Sequence, residues 1–139
     1  MAKKLTINDI QLINDIINQP DMIKLIGMGK DHIDMKPEFY NFDCFISDDG
    51  MDLAFFEKKD LRVAQGHNAF RSHGRQAIIN GKDIIQTYFE YDPYLNLIFG
   101  LTPIQYQTTR RFNALIGMKP VKYEWLESDI LAYRYEIYR

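Results

Sequence analysis

The sequence lacks most of the features that would narrow its function alone. It has one cysteine, Cys44, so no intrachain disulfide can form and no multi-cysteine zinc site exists. Flanked by Phe42, Phe45 and Ile46, that cysteine reads as a small buried hydrophobe rather than a nucleophile. No apolar run approaches the roughly 18 residues of a membrane-spanning helix, and the opening MAKKLTINDI lacks the apolar core of a signal peptide. The expectation is an intracellular protein that does not enter a membrane. An excess of positive charge is missing too: 17 Lys and Arg against 19 Asp and Glu leave a formal net charge of −2, which argues against general nucleic-acid binding. No metal site is expected. His67 and His73 sit too far apart along a strand, and Asp48, Asp49 and Asp52 read as a hairpin turn before they read as a cation site.

What is present suits one compact unit. The 139 residues are the length of a single domain, 1–139, with no repeat, linker or low-complexity tract. Nine Tyr and nine Phe are many for that length and fit a sheet-rich core.

A short strand is expected at Lys4, Leu5 and Thr6. Thr6 or Asn8 then caps a helix with Ile7, Ile10, Leu12, Ile13, Ile16 and Ile17 along one side, and Pro20 ends it. A weaker helical piece covers residues 21–26, followed by a break at Gly27–Gly29 and an irregular stretch over 30–41 of the kind that borders a substrate or covers a core. Residues 43–47 and 51–57 read as strands joined by the turn Asp48-Asp49-Gly50. Lys58-Lys59-Asp60 reads as a second turn before a strand over 61–70. A strand over 94–100 follows, then a helix opened by Thr102 and Pro103 that runs to Ile116 and stops at Gly117. Residues 121–126 and 130–138 form a closing hairpin around Glu127-Ser128-Asp129, its aromatics alternating as in a half-buried strand pair.

Residues 67–81, HNAFRSHGRQAIING, carry the most information. Phe70 closes a strand, Arg71, Ser72, His73, Gly74 and Arg75 make a basic turn, and helical spacing resumes from Gln76 through Ala77, Ile78, Ile84, Ile85 and Tyr88. A helix start carries unsatisfied N–H donors and partial positive charge, so a phosphate is its natural guest, although an ordinary solvated helix start has the same pattern.

The order of elements resembles the GCN5-related N-acetyltransferase (GNAT) superfamily over nearly the whole chain. Arg71-Ser72-His73-Gly74-Arg75-Gln76 is similar to the family's turn of Gln or Arg, two residues, Gly, one residue, then Gly or Ala, but Gln76 occupies the small-residue position. Gly117-Met118 stands where the family has Gly-Phe at its last helix end, and residues 97–100 with Thr102-Pro103 are similar to the fifth strand and its splay. The resemblance implies an α/β fold of GNAT type, a mixed and mainly antiparallel sheet flanked by helices. It also implies an N-acetyltransferase that takes acetyl-CoA as acyl donor and an unidentified amine as acceptor. On that basis Phe70, Arg71, Ser72, Gly74, Arg75, Gln76 and Ala77 hold the cofactor. Backbone N–H groups of residues 72–77 would receive the diphosphate, and the pantetheine arm would enter at the splay beside residues 67–70.

The catalytic groups match less well. The fourth strand has no carboxylate, which leaves His67 as base with Glu57 second. The family's thiolate-protonating Tyr is replaced by Asn113, which leaves Tyr106 as the substitute acid. A second class therefore stands beside the enzyme: a catalytically inactive GNAT-like structural or interaction protein, such as a phage virion or assembly component found in the host cytoplasm or the virion. Self-association or a protein partner through the C-terminal hairpin fits either class.

Overall fold

A computed structural model describes residues 1–26, 29–127 and 129–139 of the chain. Period-two alternation sorts the middle of the sequence onto two faces of one sheet. Along β2 (Asp43–Ile46) and β3 (Asp52–Asp60), Cys44, Ile46, Leu53 and Phe55 point one way, while Phe45, Ala54 and Phe56 point the other. The first set packs under α1 (Ile10–Ile17), α2 (Pro20–Ile26) and the stretch around Phe39 and Phe42. The second packs under α3 (Gly74–Tyr91), where Tyr88 stacks on Phe56 with ring centroids 4.3 Å apart and donates its hydroxyl to Asp43 at 2.7 Å. Cys44 is fully buried in the first cluster, and loss of hydration pushes its thiol pKa up to about 12.

With β1 (Lys3–Lys4), β4 (Val63–Phe70), β5 (Leu97–Pro103), β6 (Lys119–Leu126) and β7 (Ile130–Tyr138), the seven strands lie in the order β1-β2-β3-β4-β5-β7-β6. Every neighbouring pair is antiparallel except β4–β5. A parallel pair needs a crossover, and α3 supplies it. The final helix, α4 (Gln107–Leu115), lies over the face that α3 covers, with Ile116 and Met118 completing that core.

Several boundaries differ from the sequence reading. The opening strand is Lys3–Lys4; Thr6 instead makes a capping box with Asp9 over a 3-10 turn, Ile7–Asp9, that leads into α1. Pro20 begins α2 rather than ending α1, at the first helical position where its missing N–H costs nothing. Lys58-Lys59-Asp60 is not a turn but the irregular end of β3; the chain reverses at Leu61–Arg62, where Asp60 Oδ1 accepts the Arg62 N–H at 2.7 Å. Thr102 and Pro103 do not open a helix. They extend β5 against β7, and α4 starts at Gln107. The second half of the expected break, Gly29, has φ of +85°, whereas Gly27 and Met28 lie outside the described residues, as does Ser128 of the last hairpin.

Candidate functional site

β4 and β5 pair over only three positions, Val63↔Leu97, Ala64↔Ile98 and Gln65↔Phe99. Beyond them β4 continues to Phe70 against β3, and β5 continues to Pro103 against β7, so the two strands part like a fork. Gly66 and Gly100 sit at the crotch, where a side chain on Gly100 would lie 4.0 Å from the Gly66 carbonyl. The facing edges of residues 67–70 and 101–103 therefore present backbone donors and acceptors without a strand between them. Such edges accept an extended guest with amide groups of its own.

At the mouth of this fork the chain turns through Arg71–His73 into α3. Gly74 begins the helix at φ +57°, and the N-cap residue His73 makes no side-chain capping bond. Among the described residues, the first-turn amides of Gly74, Arg75 and Gln76 have no intrahelical or side-chain acceptor, and these residues are exposed. α3 is 18 residues long, so the helix dipole favours an anion there. The Arg75 side chain is also exposed and makes no hydrogen bond or ion pair among the described residues.

Arg71 and Ser72 face inward instead. Arg71 donates through Nε to the Met51 carbonyl at 2.7 Å and through Nη2 to the Gly50 carbonyl at 2.5 Å. The backbone N–H groups of Arg71 and Ser72 donate to Asp52 Oδ1 at 2.8 and 2.9 Å, and the Ser72 hydroxyl donates to Asp52 Oδ2. Ala77 is buried at the first intrahelical bond, and Phe70 packs edge-on against Phe112 with centroids 5.3 Å apart. Of the seven residues expected to hold the cofactor, the structure gathers all at one end of the fork. It leaves Gly74, Arg75 and Gln76 facing solvent.

The two expected catalytic residues are not in contact with each other. His67 lies on the face covered by α1 and α2, opposite Phe55 in register and edge-on to Phe42 at 6.2 Å. Its outer rim is exposed, but the apolar surroundings lower its pKa, with Glu57 opposing and Lys59 reinforcing the shift. Tyr106 is 54% exposed at the N-cap of α4. Asn113, at the position where the resemblance places a tyrosine, is buried and donates to the Thr102 hydroxyl at 2.9 Å, pinning α4 to the splayed half of β5. Nearby, Arg110 Nη1 donates to the Ile104 carbonyl at 3.0 Å and the guanidinium lies 4.4 Å over the Tyr133 ring. Among the described residues no group of three or more His, Cys, Asp or Glu is placed to hold a metal ion.

Sequence reasoning passed over Asn80 and missed the roles of Asp52, read as part of a hairpin turn, and of Thr102, read as a helix start. Asp52 carried a weak signal, a lone carboxylate opening an apolar strand, but its partners Ser72 and Asn80 come 20 and 28 residues later and nothing local points to them.

The forked sheet with α3 starting at its mouth is the fold of the GNAT acyl-CoA N-acyltransferases. No protein-family model matches the sequence, and no curated protein matches it. Among solved structures, the aminoglycoside acetyltransferase AAC(6')-Ib in complex with acetyl-CoA superimposes with a TM-score of 0.79 at 12% identity, covering 100% of this chain and 93% of that one. A GNAT-family acetyltransferase from Bacillus anthracis gives 0.71 at 14% identity over 99% of this chain and 93% of that one. Spermidine N-acetyltransferase from Vibrio cholerae, in complex with CoA and spermine, gives 0.70 at 11% identity over 99% and 94%.

Proposed function

We propose that the chain is an N-acetyltransferase that carries an acetyl group from acetyl-CoA to an amine. The observation that carries this is the fork, whose open edges lead from exposed, uncapped α3 amides to the interior of the sheet, in a fold whose solved neighbours include CoA and acetyl-CoA complexes. The amides of Gly74, Arg75 and Gln76 receive the diphosphate, with the Arg75 guanidinium beside them. Arg71 and Ser72 chiefly hold the turn, because both backbone N–H groups, the Ser72 hydroxyl and the Arg71 Nε and Nη2 donors are engaged by Gly50, Met51 and Asp52. Phe70 and Ala77 wall the inner side, and the free edge of residues 67–70 takes the amide groups of the pantetheine arm. When bound, acetyl-CoA supplies the activated acyl group, its C–S bond breaking as the acceptor's N–C bond forms.

His67 serves as the base that accepts the acceptor's proton, since a lowered pKa keeps the imidazole neutral at neutral pH. Tyr106 is the hydroxyl assigned to return a proton to the leaving thiolate. The acceptor is an amine; kanamycin and spermine are the ligands named with two of the neighbours.

The test is a calorimetric titration with acetyl-CoA, using desulfo-CoA and ATP as controls. Shared binding of the two CoA compounds, absent for ATP, supports the site; silence at millimolar acetyl-CoA ends the enzyme reading. Within a binding protein, Arg75→Glu should weaken acetyl-CoA by about tenfold or more, because it places a carboxylate beside the diphosphate. An unchanged Kd removes Arg75 from the site. The second reading is an inactive GNAT-like structural or interaction protein, such as a virion or assembly component. It is favoured by Asn113, whose amide is committed to Thr102 where the family would have an acid.

A further inference from the structure

Asp52 has 0% of its surface exposed, yet it is a carboxylate at the start of a strand. A buried charge persists only where hydrogen bonds replace its water. Among the described residues, every donor to it comes from the β4–α3 turn or from α3 itself: the N–H groups of Arg71 and Ser72, the Ser72 hydroxyl, and Asn80 Nδ2 at 2.7 Å. Asn80 is buried as well, and its Nδ2 lies 3.2 Å from each oxygen of Asp49 in the β2–β3 turn. Its Oδ1 accepts from Gln76 Nε2 at 2.9 Å. Asp49 is itself fixed by the Ser47 hydroxyl at 2.6 Å and the Met51 N–H at 3.1 Å. The result is a chain of polar contacts from Gln76 through Asn80 to Asp52 and Asp49, stapling the β2–β3 turn to the start of α3.

We propose that Asp52 and Asn80, with Gln76 as their outer link, are positioning residues for the acyl-CoA site; the inference rests on the function proposed above. Two consequences follow from the geometry. Asp52 draws the Arg71 and Ser72 amides away from the mouth, so the diphosphate is received one step later, on the first turn of α3. Asn80, one helical turn beyond Gln76, draws that side chain down the helix and away from the exposed amides. A glutamine at the motif's small-residue position thereby leaves the phosphate seat open and becomes part of its support.

The experiment is CoA titration of the wild type, Gln76→Ala and Asp52→Asn, with melting temperature recorded for each. Gln76→Ala restores the small residue of the motif. If Gln76 obstructed the seat, the variant would bind CoA more tightly; if Gln76 supports it, binding weakens by about threefold to tenfold while the helix, given a better helix former, keeps its stability. Asp52→Asn sets an amide N–H against the Asn80 amide, and the CoA Kd should rise about tenfold or more. A residue that merely stabilises the fold would lower the melting temperature and leave the Kd of the still folded protein unchanged. Tighter binding in Gln76→Ala, or an unaltered Kd in both single variants, overturns the inference while the acyl-CoA site stands. Should Asp52→Asn fail to fold, Gln76→Ala decides. A wild type that takes up no CoA removes the proposed function, and this inference with it.

Discussion

His67 shows how one side chain can be ordinary in its packing and still be fitted for chemistry. Strand alternation places it on the α1 and α2 face, beside Phe42 and across from Phe55, and those rings strip enough water to lower its pKa. A base with a lowered pKa is ready above that pKa and lost below it. The acid limb of kcat/KM should therefore fall below the ordinary histidine value of about 6.5, with a flat profile at neutral pH. His67→Gln should lower kcat by about a hundredfold or more, leave the acetyl-CoA Kd nearly unchanged and abolish that limb. The same acid limb in the variant would assign the proton to another group. Stability carries the same sign: the unfolded chain binds the proton more readily than the fold does. Stability from this residue is present above about pH 6.5 and declines as pH falls toward the folded pKa. Cys44, by contrast, was legible from its aromatic neighbours alone, because burial needs no partner to be named. Asp52 was not, because its meaning lies in donors that only the folded turn supplies.

At the scale of elements, the order was readable, and of the joins that were misread one is instructive. Proline usually signals a helix start after a strand, and Thr102-Pro103 looks like one. Yet Ile104 donates its N–H to Leu131 on β7 at 3.1 Å, so the nitrogen of Pro103, one residue earlier, points to the other side, into the fork. There it has no ladder bond to lose, and proline is tolerated in β5 because β4 has already departed. The order of strands and helices was legible because periods of two and 3.6 are local properties. The fork was expected only through the family resemblance and not from any local pattern, because it is defined by the absence of pairing between segments that α3 separates. What holds it open includes the Asn113–Thr102 bond, both residues buried. Thr102→Val keeps the shape but leaves the Asn113 amide without its acceptor. Chemical denaturation should show a loss of about 1–3 kcal/mol, with Thr102→Ser close to wild type. A loss in the serine variant with none in the valine variant would mean that the methyl group, not the hydrogen bond, matters.

The whole molecule ends its sheet in two unlike ways. One edge is β1, two residues long, too short to template another strand. The other is β6, eight residues long, with Val121, Tyr123 and Trp125 at 50%, 57% and 64% exposure. An edge of that length with exposed aromatics invites pairing, while Pro120, the register shift after it, and Lys119 and Lys122 discourage it near one end. The unguarded part is therefore residues 123–126, next to the Tyr123 and Tyr133 rings, which are 4.4 Å apart with hydroxyls sharing a 2.6 Å hydrogen bond. Two copies meeting there would extend the sheet across a twofold axis and bury both Trp125 side chains. Sedimentation velocity should then show a concentration-dependent dimer for the wild type. Trp125→Lys, which adds a charge on a strand already exposed, should return it to monomer without lowering its melting temperature. A wild type that stays monomeric up to hundreds of micromolar would leave β6 as an edge guarded well enough, and would move the role of its aromatics to a different protein partner.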